Sequence, residues 1–165
     1  MADTNINLDV TGYDELTEAI KTLLNQFPLI GTDEIKFSTL DKDGGVAFYP
    51  ASGGIIESSK TDITGFVEQR CQYPFTVVYR AALQTAKHRQ NGKEWLDTLG
   101  CWLEQQPIKT GESTAQLEAY PELTCGRKFT SIERITPAYL SEVEENGAEN
   151  WVIGIKARYK NEFYR

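Results

Sequence analysis

The chain has 165 residues, 40% of them hydrophobic and 25% charged, with a formal net charge of -7. That length and apolar content match one folded domain and exclude a chain disordered throughout. The negative balance excludes a protein that grips duplex DNA over a wide face, because phosphate binding needs clustered Lys and Arg; contact at one small patch stays open.

Residues 1–12 are polar and read as a flexible N-terminal arm ahead of a single domain over 13–165. Tyr13, Leu16, Ile20, Leu23, Leu24 and Phe27 then fall at spacings of three and four, which predicts an amphipathic helix. Asp14, Glu15 and Glu18 suit the dipole at its start, Thr11 is the expected N-cap, and Pro28 ends it. A hairpin is expected next: Ile35, Phe37 and Thr39 alternate with Lys36 and Ser38, the Asp41–Gly45 stretch supplies a turn, and Val46, Phe48 and Pro50 return. Residues 51–62 are small and polar around Ile55 and Ile56, and read as a long loop or a weak edge strand.

The longest strand-like run spans Phe66 to Tyr79, with Pro74 predicting a bulge or an edge position. A second helix is expected from Lys93 to Gln105, with a start as early as Gln84 and a break at Asn91-Gly92; Trp95, Leu96, Leu99, Trp102 and Leu103 form its apolar stripe. Residues 108–119 read as a polar loop. Alternation around Phe129 to Arg134 and Trp151 to Arg158 predicts two more strands, separated by an acidic turn over 142–150. Short turns between neighbouring strands imply antiparallel pairing. The expected fold class is α+β: a mostly antiparallel sheet of four to five strands covered on one face by two helices.

Three cysteines, Cys71, Cys101 and Cys125, are too few and too widely spaced for a disulfide framework or a Cys-x-x-Cys zinc site. Free thiols, a start without signal-peptide character and the lack of a 20-residue apolar stretch point to a chain made in a cytoplasm. His88 is the only histidine and is tied to no nucleophile by any motif. Cys125 precedes Gly126-Arg127, a charge an activated thiol would use, but a plain buried cysteine is the better reading. Asp41 and Asp43 resemble the start of a calcium loop, but its sixth position is Val46 and its twelfth Ser52, so a turn fits better. Glu142, Glu144 and Glu145 read as a solvated turn, and Gly53-Gly54 lacks the lysine of a phosphate cradle. No catalytic, cofactor or metal residue is assigned.

Aromatics crowd the chain end; a place in the core is the plainer reading, and the tail RYKNEFYR, which joins them to basic residues, is the candidate contact surface. The candidate interface residues are Gly53, Gly54, Ile55, Ile56, Lys60, Tyr159, Phe163, Tyr164 and Arg165.

Several segments in order resemble one known family. They are the opening helix ending NQFPLI, the DGGVAFYPASGG stretch with its polar loop, the run GFVEQRCQYPFTVVYR, the helix ending LGCWLEQQ, the YPEL segment before FTSIERITPAY, and the final strand WVIGIKARYK. Together they resemble the tail terminator proteins of long-tailed phages, also labelled minor capsid or head–tail joining proteins. The resemblance covers residues 13 to 160; it rests on order and spacing, and the insertion at 108–119 has no place in it.

It implies a structural virion protein of the tail and neck, made in the bacterial host cytoplasm, and no enzyme. Such proteins form a homo-oligomeric ring, commonly a hexamer, that caps the tail tube and meets the head–neck connector or stopper protein. DNA passes through without specific binding, which a negative lumen would favour. No cofactor and no membrane are implied. The alternatives are a small cytoplasmic binding module and an enzyme whose site one sequence does not display.

Overall fold

The computed structural model describes residues 8–30, 34–40, 44–81 and 86–165, the side chains of 86–91 excepted. The chain runs β1 (Leu8–Asp9), a 3-10 turn (Val10–Gly12), α1 (Tyr13–Leu24), β2 (Ile35–Phe37), β3 (Gly45–Pro50) and β4 (Gly54–Thr61). It continues with β5 (Phe66–Ala81), α2 (Ala86–Leu103), β6 (Ile108–Thr110), β7 (Ser113–Ala115), β8 (Arg127–Arg134), β9 (Tyr139–Val143) and β10 (Glu149–Tyr164).

The expected α+β class with a mostly antiparallel sheet is present, but the sheet has eight strands rather than four to five. The reason lies in two long strands. β5 and β10 each have 16 residues and pair antiparallel without interruption, from Phe66 opposite Tyr164 to Ala81 opposite Glu149. At about 3.3 Å per residue they form a ribbon roughly 50 Å long. Each side of the ribbon is long enough for two short strands in tandem. β4 and then β3 flank β5, at Val67–Gln72 and Phe75–Arg80; β8 and then β9 flank β10, at Ile155–Asn161 and Glu149–Val152. Alternation sets the buried face: Cys71, Tyr73, Phe75 and Val77 of β5 lie in the core with Ile153, Ile155, Ala157 and Tyr159 of β10.

Pro74 sits inside β5 without a bulge against β10. Its carbonyl accepts from the Ala51 N–H, so its nitrogen faces the same side, where the chain passes from β3 to β4 and no ladder bond is lost. Of the two readings of 51–62, a long loop or a weak edge strand, the strand is present: β4 is paired by β1 only at its start, and its outer half is exposed and polar. The 108–119 loop contains the β6–β7 hairpin.

The expected β2–β3 hairpin is instead a parallel pair, Ile35 beside Val46 and Phe37 beside Phe48. Asn25, at the end of α1, fixes the direction of β2: its side chain donates to the Lys21 and Ile35 carbonyls and accepts from the Ile35 N–H. Ser38, at φ 50, then turns the chain. Asp41–Asp43 of the expected turn lie outside the described residues.

α1 starts at Tyr13 as expected, but Thr11 is not its cap; Thr11 is drawn into hydrogen bonds with Asp9 and Arg127. Leu16, Ile20, Leu23 and Leu24 are buried, and Thr17 shares a 2.8 Å hydrogen bond with the Tyr73 hydroxyl. α2 runs unbroken through Asn91-Gly92, because Gly92 lets the helix approach Trp151 and Tyr79; a Cβ there would lie 3.0 Å from Trp151 Cδ1. Leu96, Leu99, Trp102 and Leu103 join the same core as α1, where Phe27 meets Trp95 and Trp102 edge-on or tilted at 5.2 and 5.5 Å.

Candidate functional site

Residues 8–12, assigned from sequence to the arm, are structured; 1–7 lie outside the described residues. β1 pairs with β4 at Leu8–Ile55 and Asp9–Gly54. The reason is a buried lock. Arg127, at the start of β8, donates to both Asp9 carboxylate oxygens at 2.8 and 2.7 Å, and the Tyr159 hydroxyl donates to the same carboxylate at 2.7 Å. Burial alone pushes the Asp9 carboxyl up, but the bonds from Arg127 and Tyr159 and the Arg127 charge outweigh it, holding it below its ordinary value. Glu15 of α1 adds an ion pair to Arg127 at 3.7 Å and accepts from the Thr124 backbone and hydroxyl.

The lock explains several expected interface residues. Tyr159 is 1% exposed, so it is a core residue and not part of an exposed tail. Gly54 is where it is because a Cβ there would lie 2.1 Å from the Tyr159 hydroxyl oxygen. Gly53 lies under the Tyr13 ring with φ +86, and Ile56 is half-buried against the core. Ile55 pairs with Leu8 and Gln72.

The other expected residues gather elsewhere. Lys60, Phe163, Tyr164 and Arg165 lie at the far end of the ribbon, around the turn between β4 and β5. There the Asp62 carboxylate accepts from the Thr64 N–H, the Thr64 hydroxyl and the Phe66 N–H at 2.8, 2.6 and 3.1 Å. Arg165 closes the end by donating its backbone N–H to Gly65 at 2.9 Å. These bonds order the turn, and its apex is Ile63, fully exposed. Beside it Tyr164 is 72% exposed and stacks obliquely on Phe66 at 5.2 Å, with Phe163 on the other face of the strand.

A second exposed apolar set lies at the opposite end. All five residues of β9 are exposed, including Tyr139, Leu140 and Val143, and Ile135 precedes them. The turn that follows carries the expected acids. Glu144 is held by Arg80 at 3.2 Å and by Asn150 at 2.8 Å, whereas Glu142 and Glu145 stay in solvent and line an open depression with Val143.

Between the two ends the outward face of the ribbon carries cross-strand ion pairs. Arg158 pairs with Glu133 at 2.9 Å and Glu57 at 3.4 Å, Lys160 with Glu68 at 3.6 Å. Such pairs are worth about 0–1 kcal/mol each.

Sequence reasoning missed Ile63, Phe66, Ile135, Tyr139, Leu140 and Val143. For Ile63 the signal was present: Asp62 and Gly65 bracket a lone isoleucine, a turn pattern with an apolar apex. β9 offers no two-residue alternation and gave none.

Cys71 is buried and its thiol is pushed up to about 11, chiefly by burial; Cys125 is exposed. Arg127 is committed to Asp9 and not to Cys125. The side chain of His88 lies outside the described residues. No group of three metal-ligating side chains occurs among the described residues. Comparison with models of known protein families finds no match, and a search of curated proteins finds none either.

Proposed function

We propose that this chain is a structural subunit that self-assembles into a closed ring, of the kind that caps the tail tube of a long-tailed phage and joins it to the head–neck connector. The observation that carries the self-assembly is the pair of exposed apolar sets, one around Ile63 and one on β9, at opposite ends of the β5–β10 ribbon. Two different patches that far apart favour a heterologous contact, patch to unlike patch, which is the contact a ring repeats. The phage assignment rests on the ordered resemblance of residues 13 to 160 to tail terminators, with the tail tube protein and the connector as neighbours.

In this reading α1 and α2 form one layer over the inward face of the sheet. Thr17 of α1 bonds Tyr73 and Gly92 of α2 nests against Tyr79, two residues on the same face of β5. The charge of -7 suits a lumen through which DNA slides without sticking. Negative-stain electron microscopy of the purified chain tests the proposal. It predicts closed rings with a central hole, six subunits around; open fibres, or particles no larger than one subunit at every concentration, contradict it.

A further inference from the structure

The self-assembly proposed above leaves open which surfaces meet. We infer that the β4–β5 tip of one copy docks on the β9 edge of the next. The tip offers Ile63, Phe66, Phe163 and Tyr164; the β9 end offers Ile135, Tyr139, Leu140 and Val143. Each set is apolar, and each belongs to an element hydrogen-bonded into the sheet, so little order is lost on contact.

Charge selects a second copy as the occupant. Lys60 and Arg165 flank the tip, and neither has an ion partner among the described residues. Glu142 and Glu145 flank Val143 at the other end, equally unpaired there. The tip also carries Asp62, which is engaged in its own turn, and Glu162. Tip against tip would oppose Lys60 and Arg165 to themselves with Glu162 alone to offset them, and β9 against β9 would oppose Glu142 and Glu145; the unlike pairing sets the most cations against acids.

With four apolar side chains on each side, a single contact falls among the smaller specific interfaces. Association of two copies is accordingly weak, and closure of a ring, which gives every copy two contacts, stabilises the assembly through effective concentration.

Sedimentation velocity over a concentration series tests this with three samples in a Cys125→Ser background, which removes the exposed thiol. They are the parent, Ile63→Asp and Val143→Asp. Both substituted side chains are exposed, and circular dichroism confirms that each variant keeps the parent's fold before comparison. The parent is expected to associate, and each variant to need about tenfold more protein or worse. An equimolar mixture of the two variants is expected to form dimers and nothing larger. The Val143→Asp copy still offers a tip, and the Ile63→Asp copy still offers a β9 edge, so one intact contact forms and the chain of contacts stops. If both variants associate like the parent, or the mixture does no better than its parts, the docking mode is wrong while self-assembly stands. A parent that stays monomeric throughout overturns both.

Discussion

Removing the Asp9 carboxylate leaves the buried Arg127 guanidinium with the Thr11 hydroxyl at 2.9 Å and Glu15, 3.7 Å away, as its remaining charged partner among the described residues. Breaking one side of a buried ion pair costs about 3–5 kcal/mol, far more than any outward-face pair on this sheet. Asp9→Asn is therefore expected to lower unfolding stability in urea by about 3 kcal/mol at neutral pH. The pH dependence has a definite sign. Asp9 titrates below its ordinary 3.8 when folded, so its contribution is complete above that value and is lost as pH falls through it toward the folded value. The stability gap between the parent and Asp9→Asn should close below about pH 4. A gap that stays constant into acid would show that the carboxylate charge is not what holds the lock. Nothing in the sequence marks this pair. Asp9 and Arg127 are 118 positions apart, and an aspartate in a polar N-terminus looks like any solvated residue.

Single elements were legible where one face is buried and the other wet. α1 and the long β5 and β10 runs follow their period because burial enforces it. β9 was obscured, and β4 legible only as a loop or a weak edge strand, for the complementary reason: with mostly exposed side chains they have little buried face to imprint an alternation. The parallel β2–β3 pair was hidden because its direction is set by the Asn25 side chain and not by turn chemistry. The entry into β8 depends on Gly126, at φ +79, whose carbonyl accepts from the Glu162 N–H of β10. A Cβ there would lie 1.9 Å from the Glu162 carbonyl oxygen, backbone that cannot step aside. Gly111, at φ +74 in the β6–β7 turn, has nothing within 4 Å of the same position. Gly126→Ala is expected to cost well over 2 kcal/mol and Gly111→Ala only the left-handed strain of about 1 kcal/mol. Equal losses for the two, measured by urea unfolding, would remove the role given to the β8–β10 junction.

At the scale of the whole molecule, the ribbon separates two exposed apolar sets. The core packs α1, α2 and the buried sheet face into one cluster, while the outward face carries cross-strand ion pairs alongside half-buried Pro74, Val78 and Val152. Exposed apolar side chains gather at the two ends, with Leu8, Val10 and Phe37 exposed elsewhere. The sequence pointed to half of this: Phe163, Tyr164 and Arg165 are at the tip, but Tyr159 turned inward because its strand neighbour Cys71 and the Asp9 carboxylate lie on the buried face. The β9 surface was illegible, since exposed Tyr139, Leu140 and Val143 become a patch only once β9 is laid along the start of β10.

Light scattering of the unmodified chain over a wide concentration range decides whether copies assemble. The mass is expected to rise from one subunit to a plateau at a fixed small multiple and to stay there. A mass equal to one subunit at every concentration contradicts assembly.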